Sequence, residues 1–328
     1  MSHSFRRLGR LDLHSLESER CRYLDGALAP NTRRTYGTGV RQYLRFCQEI
    51  GTAPFPLVER VLEYFVVVLA RRVGYRTIRV YLCGVQQESL VHGGSSLLRE
   101  MHSLHYLVRG IKRDQGRAHF RAPRVPITGP MLRSILAGIG DNFSERDAAM
   151  LSAAVTLAFF GMLRVSEYTA PGSRVWVPGS TLTVDDVFLD WDRRVMLVRV
   201  VGSKTDPFRV GVTIRVCATG SHLCPFRAMA RYLELRGRAG GPLFVFGDGS
   251  LLTRVCVAGV LRRFAPVPTV NTHSLRQGGA TMLAQLGVAP YVIQCLGRWA
   301  SDAYLRYIQF SDEFIGQVMG GMARACHR

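Results

Sequence analysis

Apolar residues recur at helical spacing through the first third of the chain. From Asn31, placed to cap a helix, Tyr36, Val40, Tyr43, Leu44 and Cys47 share one face. A second helix follows from Pro56 to Ala70 with the apolar run FVVVLA, and a third carries Ile78, Tyr81, Leu82 and Val85. A fourth, from about Ser96 to Lys112, turns Met101, Leu104, Leu107, Val108 and Ile111 inward. Four amphipathic helices on short loops predict a small all-α domain over residues 19–114. Residues 1–18 are polar without a period and read as a flexible arm. Residues 115–129 (QGRAHFRAPRVPITG) combine two prolines with three arginines and no period, which predicts an extended basic linker.

Beyond the linker the pattern changes. Met131–Ile139 and Ser144–Leu163 predict helices; the second is uncharged from Ala148 onward, yet shorter than the ~20 residues that span a bilayer. It reads as a buried helix, and no membrane segment is expected. Thr181–Val187, Val195–Val201 and Arg209–Val216 are β-branched runs separated by turn residues, which predicts a three-stranded antiparallel sheet. Helical signals resume at Pro225–Arg236 and Thr253–Phe264. Three short helices then follow in Asn271–Gln309, NTHSLRQGGATMLAQLGVAPYVIQCLGRWASDAYLRYIQ. Gly287 and Gly297 stand where left-handed caps would stop them, and Ser301 or Asp302 would cap the last, which carries Tyr304 and Tyr307. Residues 130–328 therefore predict a mixed α+β domain, mainly helical.

Charge narrows the choice of partner. Forty-three basic against 24 acidic residues give a formal charge of +19, which suits a polyanion, because neutralising phosphates releases their condensed counterions. Lysine occurs only at Lys112 and Lys204. Arg33 and Arg34 sit at one helix start and Arg76 and Arg79 at another, where free amides attract phosphate; Arg121 and Arg124 lie in the linker. These six are the candidate DNA-binding residues. Eight scattered cysteines without a CxxC pair indicate reduced thiols in an intracellular protein. Cys217, His222 and Cys224 lie close together but lack an evident fourth ligand, so no metal is assigned.

Four features carry candidate chemistry: Arg164 with Glu167 after the buried helix, Lys204 in the turn GSKTDP, His273-x-x-Arg276, and Trp299 followed by Tyr307. Each alone is ordinary helix or core material. In this order and spacing they resemble the tyrosine site-specific recombinases, the phage-integrase family, over nearly the whole chain. HSLRQGGAT, LGRWASDAYLRYI and CPFRAMARYL are most similar to recombinases of eukaryotic mobile elements of the Crypton and DIRS type. The resemblance implies a helical core-binding domain and a catalytic domain that close around double-stranded DNA. It further implies assembly of copies on paired sites, and a nuclear location if the host is eukaryotic. An apolar stripe in the tail (Phe314, Ile315, Val318, Met319, Met322) reads by default as packed on its own domain, whereas in the family such a helix often docks on a neighbouring protomer.

The resemblance also assigns roles. Tyr307 would attack phosphorus and form a 3′-phosphotyrosine, leaving a 5′-hydroxyl; the bond energy is retained, so neither ATP nor metal is required. Arg164 and Arg276 would clamp the phosphate oxygens, His273 would donate to them and assist proton movement, and Lys204 would protonate the leaving oxygen. Glu167 would support Arg164 or His273. Trp299 would bind phosphate and pack, since an indole has no basic nitrogen. One departure stands out: many members place the nucleophile nine residues after this Trp/His position, whereas Tyr307 follows Trp299 by eight, and Tyr304 competes. Two other functions use related features: a type IB topoisomerase, and a domesticated DNA-binding protein without catalysis.

Overall fold

The computed structural model describes residues 12–91, 98–118, 125–201 and 210–326, and divides into two compact units, Met1–Ala122 and Pro123–Arg328. Lys204, Arg121 and Arg124 lie outside the described residues.

Among its described residues the first unit is all helical: α1 (Leu13–Gly26), α2 (Pro30–Glu49), α3 (Glu59–Ala70), α4 (Tyr75–Val91) and α5 (His102–Ala118). Its core joins Tyr43, Phe46 and Cys47 of α2 to Leu62, Phe65 and Val66 of α3 and Ile78, Leu82 and Val85 of α4, as the helical period predicts. Three local expectations are corrected. Residues 13–18 of the expected arm belong to α1, which Asp12 caps by accepting from the amides of His14 and Ser15. Helix α2 starts at Pro30 rather than at an Asn31 cap, since proline needs no amide partner in a first turn, and Leu44 is exposed. Helix α5 runs past Lys112 to Ala118 because Gln115 is buried: its amide bonds the carbonyls of Ala70 and Val73 and accepts from the Tyr75 N–H.

In the second unit α6 (Gly129–Asn142), α7 (Glu145–Phe160) and the short α8 (Val165–Tyr168) precede the sheet. The sheet runs β1 (Val187–Asp190), β2 (Val195–Val200), β3 (Val212–Cys217), in that order and antiparallel, with Val187 opposite Val198 and Val195 opposite Cys217. Alternation buries Met196, Val198 and Val200 and leaves Arg199 exposed. The first strand comes later than the run Thr181–Val187 predicts. Thr183 bonds the Asp186 carboxylate through both its amide and its hydroxyl, which folds Val184–Asp186 into a 3-10 turn.

Then follow α9 (Pro225–Arg236), α10 (Arg254–Phe264), α11 (Thr272–Gln285), α12 (Pro290–Gly297) and α13 (Asp312–Cys326). Helix α7, the uncharged run, is the central strut: Met150, Leu151, Ala153, Ala154, Leu157 and Ala158 are all buried, and α6, α9 and α11 pack on it. Alanine lets neighbours approach closely; glycine does so where α11 meets α7. A Cβ on Gly278 would lie 2.1 Å from the Ile127 carbonyl oxygen and 2.7 Å from the Phe159 ring. Gly278→Ala is expected to destabilise the protein by roughly 1–3 kcal/mol, the usual cost of overpacking, read from the urea midpoint. No helix among the described residues is long and apolar enough to cross a membrane.

Candidate active site

The turn after α7 positions the first pair. Met162 takes a left-handed conformation (φ 45°), reversing the chain so that Arg164 enters α8. Glu167 reaches back to Arg164: one carboxylate oxygen accepts from the Arg164 amide and the other from its Nη1, each at 2.9 Å. The first oxygen also accepts from Nη2 of Arg298 at 2.9 Å. Glu167 is 1% exposed. Burial by itself would raise its carboxyl, but Arg298 and Arg164 together hold it below its ordinary value.

Helix α11 supplies the second pair. Asn271 caps it, its Oδ1 accepting from the His273 amide at 2.9 Å. His273 is half-buried, and Arg276, one turn on, is 1% exposed. The Arg276 guanidinium donates from Nη1 to the Met162 carbonyl and from Nη2 to the Gly297 carbonyl, tying the α7–α8 turn to the end of α12. Its Cζ lies 4.3 Å from the centre of the Trp299 ring. Burial, and then the charge of Arg164, pull Arg276 down to about 9, so it is still a cation at neutral pH. Both terminal nitrogens are engaged with carbonyls, so Arg276 holds the site together from beneath.

Arg298 is the residue that sequence reasoning missed. The left-handed cap of α12 is not Gly297, as expected, but Arg298 (φ 57°, ψ 46°). Gly297 instead makes room for an indole, since a Cβ there would fall 1.6 Å from the Trp299 ring. Besides Glu167, Arg298 donates to the Gly161 carbonyl at 3.1 Å and to that of Met162 at 3.4 Å, bonds that offset the strain of the left-handed backbone. Burial pulls its guanidinium below the ordinary value despite Glu167. One signal was available: Arg298, not Trp299, stands nine residues before Tyr307.

Trp299 is buried and packs on three sides. Its ring covers Arg276, stacks on Tyr307 (5.7 Å between centroids, 29° between planes) and meets Tyr304 at 5.9 Å. The edge of the His273 ring approaches Tyr307 at 4.8 Å. Tyr307 thus lies between His273 and Trp299. It is half-buried, while Tyr304 is 4% exposed and part of the apolar cluster with Met162, Ala280 and Ile293. Tyr304 lies in a 3-10 turn, Asp302–Arg306, capped by Ser301, where a helix was expected, and Tyr307 stands just past its end. Arg164, Glu167, His273, Arg276, Trp299 and Tyr307 are therefore brought together, with Arg298 added.

The remaining described candidates are surface groups of the first unit. Arg33 and Arg34 are exposed in the first turn of α2, Arg76 in the first turn of α4 and Arg79 one turn later. Arg76 and Lys112 both approach the Tyr75 ring, at 6.0 and 5.6 Å. The Arg76 hydrogen bond, helped by the charges of Lys112 and Arg79, lowers the Tyr75 phenol.

No protein-family model and no curated protein matches the sequence. Solved structures do match. The Tn1549 transposon integrase in complex with circular intermediate DNA superposes with a TM-score of 0.56 at 17% identity, over 93% of this chain and 98% of that one. XerH site-specific recombinase bound to a palindromic difH substrate reaches 0.60 at 15% identity, over 87% and 78%. A lambda integrase dimer bound to a COC′ core site gives 0.54 at 16%, over 91% and 77%. The chain has the tyrosine recombinase fold. Among the described residues the sheet is the three-stranded antiparallel sheet expected between α8 and α9.

Proposed function

We propose that this protein is a site-specific DNA recombinase that cleaves and rejoins strands through a 3′-phosphotyrosine on Tyr307. The observation that carries it is a phenol packed against an imidazole and an indole, beside two guanidiniums that share one carboxylate and a third, Arg276, beneath the indole. Arg164, Arg276 and Arg298 against Glu167 leave a formal excess of two positive charges in a nearly buried cluster, which a phosphodiester would neutralise.

In the proposed reaction the Tyr307 oxygen attacks phosphorus, the phosphorus–O5′ bond breaks, and the upstream segment stays on the protein through its 3′-phosphate while the downstream segment leaves with a 5′-hydroxyl. His273 takes the phenolic proton or donates to a non-bridging oxygen; Lys204 returns a proton to the departing 5′-oxygen. Arg164, the more accessible guanidinium of the cluster, binds the phosphate directly. Arg276 contributes its charge, and its two carbonyl bonds use two of its five N–H donors, so donors remain for a phosphate oxygen. Attack by a 5′-hydroxyl from a partner strand reverses the step, so no nucleotide cofactor or metal enters the scheme.

The DNA-bound recombinases of the same fold support a duplex partner. Exposed Arg33, Arg34, Arg76 and Arg79, with linker Arg121 and Arg124, supply backbone contacts in this scheme. The exposed stripe Ile315, Val318, Met319 and Met322 on α13 supports assembly of copies on paired sites. The motifs HSLRQGGAT and LGRWASDAYLRYI favour a mobile element of the Crypton or DIRS type as the source.

The test is capture of a nicked duplex that loses its 5′-hydroxyl fragment on cleavage. A covalent protein–DNA band on a denaturing gel, with DNA attached through its 3′ end, is the expected result. Absence of any adduct across a pooled library of duplexes overturns the proposal.

A further inference from the structure

We propose that Thr281 is a positioning residue for the nucleophile, holding the backbone of Tyr307 at a fixed distance from His273 and Arg276; this rests on the recombinase reading above. Thr281 is 5% exposed and belongs to α11, the helix that also carries His273 and Arg276. Its hydroxyl donates to the Tyr307 carbonyl at 3.0 Å and accepts from the Gln309 amide at 3.2 Å. Both capacities of one hydroxyl are thus spent on the same three-residue segment.

That segment needs such an anchor. Residues 307–309 lie outside any helix or strand, between the 3-10 turn and α13. The Tyr307 amide bonds the Tyr304 carbonyl at 2.8 Å, which ties it only to its own turn. Thr281 ties it to the rigid part of the site. Gly278 and Gly279 seat α11 directly against Phe159 and the turn at Met162, so the helix cannot shift without displacing Arg276 as well. The β-branched side chain of threonine has two rotamers open in a helix, and the bonds to Tyr307 and Gln309 select one of them. The histidine, the arginine and the attachment point of the phenol are therefore carried on a single rigid element. Displacement of a reacting group by about 1 Å can cost on the order of a hundredfold in rate.

Thr281→Val keeps the shape and removes both bonds; Thr281→Ser keeps both bonds. The measurements are the single-turnover rate of adduct formation on prebound nicked duplex, the affinity for uncleaved DNA, and amide exchange over residues 304–310. The expected result is a loss of roughly tenfold or more in rate for valine with affinity unchanged, faster exchange at Gln309, and recovery of the rate by serine. A valine variant that cleaves at the wild-type rate overturns the proposal, as does a serine variant as slow as valine. If valine does not fold, Thr281→Ala, which removes the hydroxyl without placing a methyl against the carbonyl, takes its place with the same expectations. A wild-type protein that forms no adduct at all counts against the recombinase reading, whereas a normal wild type with an unaffected variant counts against Thr281 alone.

Discussion

Tyr307→Phe eliminates covalent capture of nicked DNA, while Tyr304→Phe retains it. The first substitution keeps the ring and so keeps its stack on Trp299 and its edge contact with His273; only the attacking oxygen is gone. Affinity for the duplex and the melting temperature should therefore stay close to wild type. Tyr304 is enclosed in the apolar cluster with Met162, Ala280 and Ile293, where a phosphate cannot approach it. The phenylalanine variant at that position keeps the cluster filled and leaves the phenol of Tyr307 in place. Both variants are read from protein–DNA bands on a denaturing gel. A band from Tyr307→Phe shows that the nucleophile has been misassigned.

The largest effect on stability is expected at Glu167. Its carboxylate accepts from Arg164 twice and from Arg298 once, with no exposure to water to replace them. Glu167→Ala leaves guanidiniums facing each other without a counter-charge, a change that costs about 3–5 kcal/mol when a buried pair is broken. Urea unfolding at neutral pH measures it. The pH dependence has a definite sign. The folded carboxyl titrates below its ordinary 4.5, so its contribution is complete above 4.5 and is lost as the pH falls through the lower folded value. The gap between wild type and Glu167→Gln should hold constant from neutral pH down to about 4.5, shrink from there to the lower folded value, and level off in stronger acid. A gap that already narrows near neutrality shows that Glu167 is not held ionised by its arginines.

Most helices were legible in the sequence because their signal is local. The period of Tyr43, Cys47, Ile78, Leu82 and Leu104 names the core of the first unit, and the uncharged run after Ala148 names the central helix of the second. Element ends were less legible. Helix α5 passes Lys112 because of Gln115, whose partners lie more than forty residues away, and the first strand is delayed by a carboxylate that folds Thr183 back. The candidate site divides in the same way. Arg164, Glu167, His273, Arg276 and Tyr307 stand out by type and order, since a phosphodiester calls for fixed cations and a nucleophile.

What the chain decides by itself is which side chains are available and which helices carry them, because helical periodicity and residue chemistry act over a few positions. Tertiary structure decides which of two adjacent residues takes the left-handed turn, so that Arg298 enters the cluster and Trp299 covers it. It also buries Tyr304 in an apolar cluster and leaves Tyr307 half-buried beside His273 and Trp299. The physical reason is that both outcomes depend on contacts between segments distant in sequence: Arg298 with Gly161 and Glu167, and the Tyr307 backbone with Thr281.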